Sequence, residues 1–330
     1  MSSGRLGANR GKALFVLAGL SFSAVFLWLA VRNADLAAVK EELQDADVVL
    51  VALAVCVLGC GYLLQAVRWR RIADTEKLGI SRFYAMFLGG LACNNVLPIR
   101  IGELLRARWL SRDAPMSGGR AFGTVVLDRA CDVIALSLFL LVGFQAVAST
   151  PWLLQLAVGA LLVLLLLAAV LVFARQYTTR RARNRRVRGR ARRIVRDTLE
   201  MLAEPIGRRR AVTWLGLSLC TWTLGSLAVM LVARSLGIHL APVEAVFVAA
   251  SLSLGVAIPS SPGYVGTYQW LGVASLGLLD VPVNEALAFT ILMQATWYVP
   301  TTVVGGAFIV LRAVRPGWRR RPSRPIPSKS

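Results

Sequence analysis

The chain has 330 residues, 56% of them hydrophobic, and a mean hydropathy of +0.62. An ordinary soluble domain, roughly 45–50% apolar, is excluded. Thirty-eight Lys and Arg against 17 Asp and Glu give a net charge of +21, and the meaning of that excess depends on where along the chain it falls.

Ala13–Val31 is the first apolar stretch long enough to span a bilayer, and it is fronted by Arg5, Arg10 and Lys12. It runs for about 19 residues with no A-x-A-like site after it, so it reads as a retained anchor rather than a cleaved signal peptide. Arg32–Asp47 is mostly acidic, Val48–Val67 is a second span, and Arg68–Arg82 is basic. Phe83–Ile99 then runs directly into the charged segment Arg100–Arg106, the pattern of a helical hairpin that enters and leaves by one face. Asn94 and Asn95 end its entering arm, Pro98 breaks the helix and Gly102 permits a tight return. Arg100, Glu103 and Arg106, at i, i+3 and i+6, lie along one side of the second arm. Two guanidiniums with a carboxylate between them suit a phosphate or carboxylate headgroup, which Arg binds bidentately. The alternative is an amphipathic helix lying at the interface with internal ion pairs.

Ala121–Val147 is a span that carries charge. Asp128 lies about 10 Å deep at about 1.5 Å per residue; Asp132 shares its face and Arg129 lies about 100° around. Each such charge costs about 2.5–3.5 kcal/mol near mid-membrane, so the three must face a partner or a wet cavity. They serve there as ligand groups or as a structural ion-pair lock. After the uncharged turn Ala148–Pro151 and the span Trp152–Ala174, the loop Arg175–Arg210 carries 14 Arg against three acids. Its run Thr179–Arg196 has no interleaved aromatics to stack bases. It therefore reads as a topology determinant and anionic-lipid clamp, and nucleic acid is not expected as a partner.

Ala211–Ala233 spans again, and His239, the single histidine, lies in a short polar loop. Ala245–Leu279 is uncharged for 35 residues and is broken at Pro259–Gly263. Two full crossings need about 40 apolar residues, so a second hairpin fits better. Pro259, Ser260, Ser261 and Pro262 mark its break, Gly263 and Gly266 allow close approach, and Tyr268 and Gln269 offer polar groups to a cavity. A helix beginning near Gly263 would turn free N–H groups and the positive dipole end toward an anion; the alternative is a kink filled by neighbouring helices. Ala286–Leu311 is the last span, and the tail from Arg312 holds six Arg and Lys329 with no acid.

Because Arg and Lys mark cytoplasmic loops, both termini and the Arg-rich loop are expected inside and the two hairpins enter from opposite faces. The expected fold is an all-α polytopic integral membrane protein with about six full spans plus two opposed helical hairpins. One transmembrane domain covers residues 1–315, and residues 316–330 form a basic disordered tail. This topology admits an inverted repeat, although the halves share no obvious sequence identity. Paired broken segments in two halves are the best sequence pointer to a transporter's substrate site. Cys56, Cys60, Cys93, Cys131 and Cys220 all lie in apolar segments and read as buried small hydrophobes. No metal site, cofactor or disulfide is expected, and the phosphate-loop and dinucleotide glycine motifs are absent.

The three polar clusters, in this order and spacing, resemble the lysylphosphatidylglycerol synthase transmembrane-region family, also called flippase-like domain proteins. That family includes the membrane half of the bacterial multiple peptide resistance factor. Its pattern N-x-x-x-P-x-R-x-G-E-x-x-R is met at Asn94, Pro98, Arg100, Gly102, Glu103 and Arg106. An acid-Arg-x-x-Asp pattern is met at Asp128, Arg129 and Asp132. P-x-S-P-G-x-x-G is met at Pro259, Ser261, Pro262, Gly263 and Gly266. The resemblance runs from roughly Gly11 to Arg315. It departs at Asp128 and at Gln269, where the family usually has Glu; the first keeps the charge on a shorter arm, and the second removes a charge, which counts against a proton or cation coupling at that position. No soluble aminoacyl-transferase domain follows residue 315, so synthesis of lysyl-lipid by this chain is not expected. The resemblance implies translocation of an anionic or lipid-linked headgroup between leaflets of the bacterial cytoplasmic membrane. Its partners would be membrane lipids, either an anionic phospholipid or a polyprenyl-linked lipid, together with a cytoplasmic or membrane synthase. Two rivals stand beside it. One is a membrane-embedded lipid-phosphate glycosyl- or phosphotransferase in which Asp128 and Asp132 hold Mg²⁺. The other is a non-transporting partner that docks a cell-envelope synthase through its Arg-rich loop.

Overall fold

A computed structural model describes residues 21, 24–75, 78–97, 101–147, 176, 189–256 and 262–314. Residues 24–31 are helical. Asp35 caps α1 (Leu36–Gln44) by accepting from the Ala37 N–H at 2.8 Å. Asp47 caps α2 (Val48–Ala73) by accepting from Val49 and Leu50. A short carboxylate suits both positions, because the first N–H groups of a helix have no partner within it. α2 runs past the end of its apolar stretch at Val67: Arg68–Arg71 continue the helix, which closes at the left-handed Asp74.

α3 (Ile80–Val96) ends at the extended Leu97, and α4 (Gly102–Asp113) packs back on it. The close return requires glycine at 102, where a Cβ would stand 2.1 Å from the Gly90 carbonyl oxygen. α5 (Gly118–Gly143) is capped by Ser117 and ends in a 3-10 turn at Phe144–Ala146. The Arg-rich segment, expected as a loop, contains a helix, α6 (Arg190–Ala203), docked on the start of α5. Its Met201 and Leu202 are buried and its Arg192 and Arg193 are exposed, an amphipathic pattern that the charge count alone conceals. α7 (Arg208–Ser235) and α8 (Pro242–Gly255) follow. A 3-10 turn at Pro262–Tyr264 leads to α9 (Thr267–Gly277), and α10 (Val283–Val314) carries Pro300 in its interior.

The described residues contain helices and no strand. α2, α7 and α10 are long and apolar enough to cross a membrane; the 26 residues of α2 extend about 39 Å at about 1.5 Å per residue, against a hydrocarbon core of about 30 Å. α5 also has 26 residues but carries charges in its middle. The stretch Trp152–Ala174 lies outside the described residues, as does most of Ala13–Val31. Val48, Leu53, Leu63, Val303, Val310 and Leu311 are all exposed, an apolar surface suited to lipid rather than water. This is an all-helical membrane protein. Cys93 is buried as expected, but Cys56, Cys60 and Cys220 lie on outward faces, where a small apolar side chain is equally at home in lipid.

The packing order positions the site. α2 lies along α7, with the Asp47 N–H donating to the Ser235 carbonyl at 2.9 Å. α3 packs on α10, and α8 packs on α5. Two apolar cores result. One joins Ala54, Leu136, Phe247 and Phe289; the other joins Trp69, Phe83, Val125 and Phe308. Along α2, α5 and α10 the change from one core to the other falls at Gly61–Gln65, Arg129–Val133 and Met293–Trp297, and each of these stretches lines a cavity of about 450 Å³.

Candidate functional site

Helical periodicity brings Gly61, Gln65, Arg68 and Ile72 onto one face of α2, and Gly61, Arg68 and Ile72 are buried with Gln65. Arg68 is therefore turned inward while Arg70 and Arg71 are not. Its Nε donates to Asp128 Oδ1 at 2.9 Å and its Nη1 donates to Asp132 Oδ1 at 2.8 Å. It also donates to the Ser218 hydroxyl on α7. Arg106 on α4 takes the other Asp128 oxygen, with Nη2 to Oδ2 at 2.9 Å. The faces of Trp69 and Phe87 enclose its guanidinium, at 4.2 Å and 4.5 Å from their centroids, a favourable cation–π setting. Asp132 Oδ1 accepts in addition from the Trp222 indole N–H at 3.2 Å. Two arginines and two aspartates thus tie α2, α4, α5 and α7 together out of reach of water. Such groups are stable in an interior only when paired in this way.

Arg129 and Glu103 form the outer part of the cluster. Arg129 Nη2 stands 3.3 Å from Glu103 Oε1, and Nη1 stands 3.6 Å from Asp132 Oδ2. Arg129 is 38% exposed and Glu103 21%, whereas Arg68 and Asp128 are at 0%. Asn94 organises the turn below them: its amide donates to both Glu103 oxygens at 3.2 Å, and its oxygen accepts from the Gly102 N–H at 2.8 Å. Asn95 faces the other way. It donates to the Thr301 and Thr302 hydroxyls and accepts at its carbonyl from Tyr298, so the end of α3 is fastened to α10.

The second hairpin is built without charge. Gly263 and Gly266 have φ of 72° and 91°, left-handed values that favour glycine. Gln269 Oε1 accepts from the Gly266 N–H at 2.7 Å, and its Nε2 donates to Gln294 Oε1. Gln294 in turn donates to the Gly263 carbonyl. α9 starts at Thr267, just after the 3-10 turn that contains Gly263. The N–H of its N-cap, Gly266, is filled by Gln269. The Gln269 amide makes its bonds inside the turn, to the Gly266 N–H and to Gln294.

Of the residues singled out in the sequence, Asn94, Asn95, Glu103, Arg129, Asp132 and Tyr268 line the cavity. Arg106 and Asp128 stand behind its wall. Gly102 makes the close return of the first hairpin, and Pro262, Gly263, Gly266 and Gln269 build the second. Pro98, Arg100, Pro259, Ser260 and Ser261 lie outside the described residues. Sequence reading missed Arg68, Gln65, Trp222 and Gln294. For Arg68 and Gln65 the signal was available in their shared helical face with Gly61; for Trp222 and Gln294 only tertiary packing supplies it. The remaining cavity wall is apolar and aromatic, with Tyr62, Phe87, Leu252, Tyr264 and Trp297 among its residues. The result is an amphipathic cavity, charged at the first hairpin and α5 and mostly apolar elsewhere. Among the described residues no cluster of three or more His, Cys, Asp or Glu is placed to hold a metal ion.

Residues 16–305 match the family described as the lysylphosphatidylglycerol synthase TM region. Among curated proteins, the chain is similar to one named Glycosyltransferase AglD from Haloferax volcanii, at 27% identity over 88% of this chain and 53% of that protein. It is also similar to one named UPF0104 membrane protein PH1989 from Pyrococcus horikoshii, at 24% identity over 49% of this chain and 50% of that protein. The chain spans about half the length of these curated relatives. With nearly its whole length matched by the family, this membrane protein belongs to the lysylphosphatidylglycerol synthase TM region family.

Proposed function

We propose that the chain moves an amphipathic lipid, headgroup first, between the leaflets of a bacterial cytoplasmic membrane, with both of its termini on the cytoplasmic side. The headgroup is anionic or lipid-linked, and it binds at Arg129 and Glu103. The observation that carries this reading is the cavity itself: both hairpins and four longer helices reach it, and its accessible charges are confined to the first hairpin and α5. Irregular backbone at membrane depth is tolerated where it lines such a cavity.

The packing order supports an inverted repeat. Exchange α2–α5 for α7–α10 and each major contact maps onto another: α2 with α7 onto itself, α3 with α10 onto α8 with α5, and each hairpin onto the other. Repeats of this kind place the substrate between the two units.

A glycosyltransferase reading is favoured by the name of the Haloferax relative. It would need Asp128 and Asp132 as metal ligands or as acid and base, yet both oxygens of Asp128 and one of Asp132 are held by Arg68 and Arg106. Docking of a synthase by the Arg-rich segment is the remaining alternative. Protein in liposomes is expected to move a labelled anionic lipid between leaflets with its mass unchanged. Arg129→Lys is expected to impair exchange, because an ammonium lacks the planar fork. A lipid of altered mass, or exchange no faster than in protein-free liposomes, would replace this reading with one of the other two.

A further inference from the structure

Resting on the headgroup reading above, we infer that the cavity takes its occupant in charge-balanced form. An anionic group that binds Arg129 arrives with one positive charge, either the headgroup's own ammonium or a proton taken up by Glu103.

The inference rests on charge count and geometry. Arg68, Arg106 and Asp128 behind the cavity wall and Asp132 in it supply two positive and two negative charges, each side chain at most 5% exposed. These cancel, and both arginines lie within 2.9 Å of a carboxylate oxygen. Arg129 and Glu103 also cancel, but they meet the cavity and hold each other loosely, at 3.3 Å. Arg129 Nε and Asp132 Oδ2 have no hydrogen-bond partner, although both are buried and belong to residues that line the cavity. Arg106 Nε and Nη1 also lack a hydrogen-bond partner, but that guanidinium is enclosed by Trp69 and Phe87, so among the described residues Arg129 is the arginine that meets the cavity with a donor in reserve.

The polar and charged groups facing Glu103 are Asn94 from α3, Arg129 from α5 and Arg106 on its own helix. Those facing Asp132 are Arg68 from α2, Arg129 on its own helix and the Trp222 indole from α7. Among the described residues, α8, α9 and α10 bring only neutral side chains to the cavity. Among the described residues, no cation besides Arg129 lines the cavity when an anion engages it. Glu103 then faces a new negative charge across a wall of low dielectric, which disfavours its ionised form. With an anionic headgroup, the Glu103 carboxylate takes one proton from water and becomes a neutral acid, so the incoming charge is balanced. With a zwitterionic headgroup, the ammonium takes the place of the guanidinium beside Glu103, and no proton is needed. The aromatic wall suits an ammonium.

Calorimetric titration of the full chain in nanodiscs separates the two sources of charge. The probes are short-chain phosphatidylglycerol, which is anionic, and short-chain phosphatidylethanolamine, which is zwitterionic, each in two buffers of different ionisation enthalpy. Phosphatidylglycerol is expected to bind with uptake of about one proton and to weaken as the pH rises. Phosphatidylethanolamine is expected to bind with no proton uptake and little pH dependence. Glu103→Gln should abolish the pH slope for phosphatidylglycerol and tighten its binding at the alkaline end. The proton count on the unmodified chain stands whether or not that variant folds. Phosphatidylglycerol binding without proton uptake would overturn this inference and leave the headgroup reading in place. Failure of both lipids to bind would overturn the two together.

Discussion

Asp128 holds one guanidinium on each carboxylate oxygen, Arg68 on Oδ1 and Arg106 on Oδ2, with no exposed surface. Removing it strands two cations in an apolar interior with only Asp132 nearby. Asp128→Ala is therefore expected to cost about 3–5 kcal/mol, seen as a large drop in thermal unfolding temperature in detergent. Arg129→Gln, at a half-exposed position with looser contacts, is expected to cost less than about 1 kcal/mol while abolishing lipid exchange. Equal destabilisation by the two changes would mean that Arg129 is part of the structural lock. That the charges of α5 would meet those of the first hairpin is legible in the sequence, because charges at membrane depth must find partners. Arg68 is not legible from the charge pattern. Arg-Trp-Arg-Arg reads as the basic end of a span, and only the continuation of the helix through it separates Arg68 from Arg70 and Arg71.

At the scale of elements, the two hairpins break for different reasons. The first turns on charge: Asn94 clasps Glu103 and the Gly102 N–H, so the return of α4 is set by hydrogen bonds to an ionised group. The second turns on a neutral relay from the Gly266 N–H through Gln269 and Gln294 to the Gly263 carbonyl. Gln294→Leu is expected to leave the Gln269 amide nitrogen and the Gly263 carbonyl without these partners, at a cost of about 1–3 kcal/mol, measured by chemical denaturation in mixed micelles. An unchanged midpoint would show that the turn is held by its glycines alone. Pro and Gly announced a break here, and the substitution of Gln for the family's Glu announced that it carries no charge. The partner at 294 lies 25 positions further on, beyond what any local pattern conveys. In the Arg-rich segment the surplus of charge likewise hid α6, whose amphipathic face is visible only once its residues are read at helical spacing.

At the scale of the molecule, the excess positive charge and the alternation of loops predict an orientation that labelling tests. In a background lacking all five native cysteines, three of which are exposed, a cysteine at Gly189 is expected to resist an impermeant reagent in intact cells. One at Asp280 is expected to react. Labelling at Gly189 from outside would invert the orientation and with it the assignment of each hairpin to a face. The class of the fold, the two breaks and the spans at α2, α7 and α10 are legible in composition and periodicity. How the helices pair is not, since apolar helices in lipid are selected by packing shape and a few polar contacts rather than by any one-dimensional pattern.

That pairing bears on how the protein is made. The first arm of each hairpin rests on the helix that follows the other hairpin, α3 on α10 and α8 on α5. While the ribosome works through the rest of the chain, α3 and α4 lack their final support. At about 5–20 residues per second, completing α10 takes about 10–40 s after α3 is finished. During that interval Arg106 can reach Asp128 as soon as α5 is inserted, whereas Asn95 has no threonine pair to meet. The buried ion cluster is therefore complete once α7 brings Ser218 and Trp222, and α10 is the clamp that closes over a scaffold already charge-neutral.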